Sequence, residues 1–517
     1  MFRLEINKDW RLHESLLSDE KEQWAYVHGL KDGWYTCSLP ADVRMPLIEE
    51  GVIKDPVLAD YCRESEWIEK RAWWFERTFD SSEVDRDEDI IELILEGLDS
   101  RSDIFVNGQY IGSHYSVHYP FVFDIKEKIK EGENVITVRV TSGLETVSDQ
   151  NLSELNYAVC LETDNGGKYR GDARRAFVRR PQYTVGWDWG PKVITCGITG
   201  AARLEGHKKI ALREVCLHTE EVGEQAKLKL MLNVENLGFI SSRDGAYKVR
   251  ISYENKPVFE QTYNDRLFTS GYNYFEEEIT LSDPELWWPN GYGKQPLYEV
   301  QVEAVCEGSV EKFPVFSYGI RKLELDTSVL EGKDRKFQFV INNRPIYCKG
   351  GNWIPNDFIY ARVTDEKYRV LLDEATEVKA DFGYVSFDGT IRETKEIQLE
   401  LSPRERTYLL KEKLPDRDYK KGTIMLYIHD ENIDNIWLRL DDMRNLAFEK
   451  SPVICSADHQ EGSDRTLTVH SEAFAHGVHI KGNYRCSDNY FDLLPGETKT
   501  FTIKNAGEAS LELTSVK

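Results

Sequence analysis

The sequence predicts a mainly-β protein assembled from antiparallel sandwiches, and three observations carry that expectation. Short runs rich in β-branched and aromatic residues recur between turn signals. Within those runs apolar and polar residues alternate, as they do in half-buried strands. Only one stretch carries a convincing helical stripe. The 517 residues suffice for about three to five domains at roughly 100–200 residues each.

Met1-Phe2-Arg3-Leu4-Glu5-Ile6-Asn7-Lys8 alternates and reads as a strand. Ile90–Leu95 runs to Gly97, and Ser102–Val106 runs to Asn107-Gly108, a dipeptide suited to a type I′ hairpin. Gly132-Glu133-Asn134 leads into the β-branched run Val135–Val140. These place an antiparallel sandwich over roughly the first two hundred residues. Lys227–Val234 and Tyr247–Ser252 open a second all-β block that closes at Leu286–Tyr298, a size that suits one immunoglobulin-like sandwich of about 100 residues. A hairpin follows over Phe337–Tyr347, and Lys349–Pro355 leads to the helix. Thr364 is its expected N-cap, Asp365 and Glu366 suit the positive end of the dipole, and Tyr368, Leu371, Leu372 and Ala375 form one apolar stripe. After Glu377 the pattern reverts. Phe387-Asp388-Gly389-Thr390 is a turn, Ile391, Ile397, Leu399 and Leu401 belong to strand-like stretches, and the tail stays strand-rich to Lys517.

Bulk properties exclude several functions. At 40% hydrophobic and 30% charged the composition is globular. A formal net charge of −24 argues against nucleic-acid partners, whose phosphates demand clustered Lys and Arg. No segment approaches the roughly 18 consecutive apolar residues of a membrane span, and the N-terminus has no signal-peptide pattern. The nine cysteines are scattered, odd in number and never spaced Cys-x-x-Cys. Reduced thiols and a cytoplasmic location are expected. His476 and His479 lack further ligands at metal spacing, so a surface strand is expected there. Asp164-Asn165-Gly166-Gly167 fails calcium-loop spacing and reads as a turn. There is no Gly-x-Ser-x-Gly elbow and no Walker-type or dinucleotide-binding loop.

The most informative stretch is Pro181-Gln182-Tyr183-Thr184-Val185-Gly186-Trp187-Asp188-Trp189-Gly190-Pro191-Lys192. Two indoles flank a carboxylate between turn-forming glycines. Such flat apolar faces around an acceptor suit a sugar ring, and equally a tight turn whose indoles plug a core. The segment resembles the substrate-facing loop of the β-mannosidases of glycoside hydrolase family 2. Leu98-Asp99, Phe105–Gly108 and Gly132–Asn134 resemble that family's sugar-binding-like first domain. Leu286–Gly291 and Ser317–Arg321 resemble its middle immunoglobulin-like domain. Lys349–Pro355 with Asp357 resembles the opening of the catalytic barrel, and Asp488–Asp492 the C-terminal domain. Asn343 and Gly351 depart from the residues usual there. The resemblance implies a galactose-binding-like jelly-roll sandwich over 1–205, an immunoglobulin-like sandwich over 206–322 and a residual βα fragment of a TIM barrel over 323–379. A post-barrel β-domain over 380–445 and a C-terminal immunoglobulin-like domain over 446–517 complete it.

The large departure is in the middle. A (β/α)₈ barrel takes typically ~250 residues, whereas Arg321 to Glu377 leaves room for an entry hairpin and about one βα unit. Retaining hydrolysis needs two carboxyl groups ~5–5.5 Å apart. The resemblance implies an acid/base glutamate following an asparagine, yet no asparagine in the sequence precedes a glutamate. Ser65-Glu66-Trp67 lies in the first sandwich and reads as a surface or packing element. No catalytic residue is therefore assigned, and no cofactor or metal is expected.

The remaining candidates bind substrate. The resemblance gives Trp187, Asp188 and Trp189 a place at the terminal sugar. Asn352, Trp353 and Asp357 fit the barrel mouth, and equally a capped strand-to-helix loop. Tryptophans 73, 74, 287 and 288 are expected to pack. The expected partner is a β-mannoside or related carbohydrate, weakly held by a half-pocket. The family reaction is retaining removal of terminal β-D-mannose, and this chain is expected to be inactive. The rival readings are a non-catalytic carbohydrate-binding or scaffold protein, an enzyme whose barrel comes from another polypeptide, and a gene-deletion remnant. Loss of the barrel is also expected to expose apolar surface, leading to compensating contacts, homo-oligomerisation among them, or poor solubility.

Overall fold

A computed structural model describes residues 2–17, 23–58, 60–154, 172–187, 189–239, 242–329, 335–363, 376–401, 418–429, 436–438, 446–448, 453–482, 484–507 and 510–515. The chain divides into two compact units, Met1–Tyr368 and Arg369–Lys517.

The first unit begins with a jelly-roll sandwich. One sheet orders the strands Phe2–Glu5, Ala202–His207, Ile90–Leu95 and Phe121–Asp124. The other orders Tyr35–Cys37, Trp10–Leu16, Arg71–Asp80, Glu133–Thr141, Arg101–Val106 and Gln109–His114. Alternation fills the space between them. Trp73 and Phe75 point inward to the main core with Trp10, Leu12, Ile136 and Val138. Trp74 points outward and builds a small second core with Val27 and Phe105. Trp67 packs against Trp73 with ring centroids 6.0 Å apart, so the Ser65-Glu66-Trp67 segment is a packing element. Asn107 and Gly108 both take positive φ and join Arg101–Val106 to Gln109–His114, the geometry that Asn-Gly favours.

The second sandwich faces a three-stranded sheet (Ile210–Glu221, Gln225–Asn236, Gly271–Ser282) against a five-stranded one built round Arg243–Tyr253 and Tyr298–Cys306. Leu228, Leu230, Leu232 and Val234 line its core with Tyr247, Val249 and Ile251. Trp287 and Trp288 are half-buried where this sandwich is left, the Arg321 guanidinium lying 4.7 Å from the Trp287 ring centroid. A small sheet of Leu323–Asp326, Gln338–Ile341 and Arg344–Pro345 follows. Residues 346–359 then run without regular structure to a 3₁₀ turn at Tyr360–Arg362. The helix expected after Thr364 lies outside the described residues.

The second unit is again β. Arg392–Leu401, Thr376–Ser386, Gly422–Ile428 and Ile436–Leu438 form one sheet, with the expected Phe387–Thr390 turn joining its first two strands. Ile454–Glu461, Asp464–Ser471, Glu497–Lys504 and Arg485–Cys486 form another, beside Phe491–Leu493, Ala475–Lys481 and Glu512–Thr514. His476 and His479 sit on Ala475–Lys481. His476 donates from Nδ1 to Asp492 at 2.7 Å, and His479 stacks on Tyr490 with ring centroids 4.5 Å apart. The Asp164–Gly167 turn lies outside the described residues.

Every ladder between strands of the described residues is antiparallel, and none closes on itself. A (β/α)₈ barrel is a closed ring of eight parallel strands. No such ring exists among the described residues.

Candidate functional site

The Trp187 loop hangs on a buried polar frame. Asp99 and Arg180, both with no exposed side-chain surface, pair at 2.7 Å. Arg180 also donates to the Ser142 carbonyl at 2.9 Å and to the Thr195 carbonyl, and Thr195 donates its hydroxyl to Asp99. Beside them Asp42 accepts from the backbone N–H groups of Arg44 at 2.9 Å and Cys196 at 2.7 Å. Burial pushes the Asp42 carboxyl up, with Arg44 and these N–H groups pulling against it. Burial likewise holds the Cys196 thiol well above its ordinary range, so it is an inert packing group. Removing one member of such a set leaves an uncompensated buried charge.

On this frame the chain makes a 3₁₀ turn at Gln182–Val185 and leaves it through Gly186, whose φ of 97° favours glycine. Trp187 and Gly190 then exchange backbone hydrogen bonds at 3.2 Å in both directions, making a tight loop. Arg175 donates to the Gly186 carbonyl at 3.1 Å and places its guanidinium 5.0 Å from the Trp187 ring centroid. That cation–π contact fixes the indole while leaving Trp187 37% exposed. Lys192, just beyond the loop, is tied to Glu69 at 2.6 Å. Asp188 lies outside the described residues.

Trp189 turns the other way. Its ring lies 5.9 Å from Tyr183 and 5.7 Å from Phe358, and those two are 6.4 Å apart, so three rings meet. Phe358 belongs to the run after the small hairpin, and that run is fastened to the first sandwich at three points. Phe358 fills the space over Gly190. Tyr360 donates to Asp99 at 2.8 Å and accepts from Thr199 at 3.4 Å. Burial and the Asp99 charge hold its phenol far above the ordinary range, so it stays a neutral donor. Arg362 bridges Asp357 at 2.7 Å and Asp55 at 2.8 Å.

The sequence candidates therefore separate. Trp187 and Trp189 occupy one loop, the first presented to solvent and the second locked among rings. Asp357 accepts from the Ile359 N–H at 2.9 Å and from Arg362 at 2.7 Å. Asn352 is exposed and Trp353 is 63% exposed, on the stretch without regular structure. Sequence reasoning passed over Arg175, Tyr183, Phe358, Tyr360 and Arg362. Phe358 could have been found beside Asp357, being the apolar residue next to a quoted motif.

Chemically the described site offers an indole, a guanidinium and an aromatic wall. Those groups can stack and orient a polyhydroxylated ring. Among the described residues no cluster of three His, Cys, Asp or Glu side chains could hold a metal ion.

Comparison with known proteins adds three matches to family models. Residues 10–200 match the glycosyl hydrolase 2 galactose-binding domain-like model, 211–321 the glycosyl hydrolases family 2 model, and 450–516 an Ig-fold domain model. A probable beta-mannosidase of Caenorhabditis elegans is 27% identical over 368 residues, covering 69% of this chain and 40% of that one. Beta-mannosidase B of Emericella nidulans is 27% identical over 344 residues, covering 65% and 39%. The matched stretch thus spans about two fifths of each relative's length. The crystal structure of a beta-D-mannosidase from Dictyoglomus thermophilum aligns with a TM-score of 0.63 at 18% identity, covering 100% of this chain and 99% of that chain. That likeness is one of fold.

Proposed function

Because the chain belongs to glycoside hydrolase family 2, with β-mannosidases among its relatives, we propose that it is a β-mannoside-binding protein that has kept the substrate-positioning loop and lost hydrolysis. The reaction proposed for its full-length relatives is retaining removal of terminal, non-reducing β-D-mannose by two carboxyl groups, without cofactor. Trp187 supplies the sugar-facing wall, Arg175 and the Trp189–Tyr183–Phe358 cluster set the loop, and Asp188 is assigned to the hydroxyls on the strength of the sequence resemblance. The exclusively antiparallel ladders of the described residues carry this reading, since they offer no parallel ring on which facing glutamates could sit. The absence of any Asn-Glu pair in the sequence supports it.

The test has two arms. Saturable binding of a methyl β-mannoside, lost in Trp187→Ala and Asp188→Ala, is the expected result of titration. Nitrophenol release from an aryl β-mannoside by the purified chain is expected to stay at the blank rate. Release above blank would instead favour the second reading, an active enzyme whose barrel another polypeptide supplies. A cytoplasmic location is proposed as well, and the unpaired state of the eight cysteines among the described residues supports it. Fractionation of cells expressing the protein tests that placement.

A further inference from the structure

The first unit's two sandwiches are joined by the short run His207–Ile210, and charged side chains meet across the join. Arg213 of the second sandwich grips Glu92 of the first through both carboxylate oxygens, at 2.7 and 2.9 Å, and reaches Glu235 at 2.7 Å. His207, the last residue of the first sandwich, lies 2.9 Å from Glu311 of the second and 3.5 Å from Glu92. Lys209 in the link donates its backbone N–H to Asp89 at 2.7 Å and its ammonium to Glu307 at 3.1 Å.

We propose that these groups form a titratable clasp, in which protonated His207 holds the two sandwiches in one relative orientation and loss of that proton frees the join. The charged groups against the imidazole are Glu92 on Ile90–Leu95 and Glu311 on Ser309–Lys312, and behind Glu92 the network continues through Arg213 on Ile210–Glu221 to Glu235 on Gln225–Asn236. Glu88, Asp89 and Lys209 flank it. Three of the central five are anions and two are cations, so the proton on His207 is half of the positive charge.

Glu311 is the trigger. Its side chain is 1% exposed, and among the described residues its ion-pair partner, at 2.9 Å, is His207, whereas Glu92 also has Arg213. A neutral imidazole leaves the Glu311 carboxylate buried without a cation, a costly state that is relieved by letting water in at the join. Burial pushes His207 down, but hydrogen bonds and attraction from Glu311 and Glu92 outweigh it and hold the imidazole up at about 9. Burial pushes Glu92 up, and His207 and Arg213 outweigh that to bring it to about 2. The stabilisation from His207 is complete below its ordinary value of 6.5 and fades as pH rises through about 9. That from Glu92 is complete above 4.5 and fades as pH falls through about 2. The clasp is fully engaged between 4.5 and 6.5, and its alkaline edge is the switch.

Small-angle scattering of the full chain across roughly pH 6 to 10 tests the clasp. The radius of gyration of the wild type is expected to rise with a midpoint near pH 9. His207→Gln is expected to have the larger value throughout. Glu311→Gln, which removes the buried anion, is expected to keep the smaller value throughout, with circular dichroism confirming that both variants are folded. No rise in the wild type, or the same rise in both variants, overturns the proposal.

Discussion

Gly190 has no side chain because Phe358 occupies the place where one would go. A Cβ there would stand 2.2 Å from the Phe358 ring. Gly190→Ala must push that ring off Trp189, and overpacking of this kind costs about 1–3 kcal/mol. A lowered melting temperature with a shifted Trp189 emission is the expected readout. Tyr360→Phe probes the same neighbourhood by subtraction. It leaves Asp99 with Arg180 and Thr195 but removes the phenol, and losing one hydrogen bond to a buried carboxylate is expected to cost about 1–3 kcal/mol in denaturant unfolding. Stability within error of wild type would show that Tyr360 does not hold the segment. The sequence made Trp187 and Trp189 conspicuous because indoles flanking an aspartate are locally unusual. It could not make Tyr360 conspicuous, since Asp99 lies 261 residues away and their meeting is a fact of tertiary structure. Asp357 was read equally as a barrel-mouth residue and as part of a capped loop, and the contact its motif did not single out is the one with Arg362, five residues on.

At the scale of elements, two asparagines in similar turns separate what a turn needs from what a fold needs. Asn107 and Asn343 both take positive φ, at 51° and 64°. The side chain of Asn107 donates to the Lys128 carbonyl and to Asn134, both at 2.8 Å, and accepts from the Val135 N–H at 3.0 Å. Asn343 makes one exposed contact, to the Val222 carbonyl at 3.3 Å. Asn107→Gly keeps the backbone geometry yet strips partners from buried groups, and is expected to destabilise by about 1–3 kcal/mol. Asn343→Gly, which restores the residue usual in such hairpins, is expected to change stability by less than about 0.5 kcal/mol. Equal effects in chemical denaturation would mean that φ alone governs both. Gln225–Asn236 was legible because it buries one face, so its alternation is written in residue types, whereas Ile90–Leu95, buried on both faces, was legible as a short apolar run before a glycine. The two-residue strands Ala41–Asp42 and Gly197–Ile198 were not, being too short for any period.

At the scale of the whole molecule, counting residues was the strongest reading available, because a parallel ring cannot be built from too few units. Counting also leads to the expectation of uncovered apolar surface, and the small hairpin after the second sandwich presents exposed apolar side chains. Leu323 and Leu325 stand two residues apart on one strand and so share a face, with Phe339 opposite Leu325. Leu323 and Leu325 are both exposed, and Phe337, packed edge-on to Phe339 at 5.9 Å, is 76% exposed. Contiguous apolar surface of this kind drives association, because each contact removes it from water at about 25 cal/mol per Å². The wild type is therefore expected to show a concentration-dependent rise in sedimentation coefficient. Leu325→Thr with Phe337→Thr keeps strand propensity while removing most of that apolar area, and should lower the rise. The formal charge of −24 opposes association at long range, so added salt should strengthen self-association in the wild type more than in the double variant. A wild type that sediments as a monomer at every concentration and salt level would mean that this face is too small or too divided to pair.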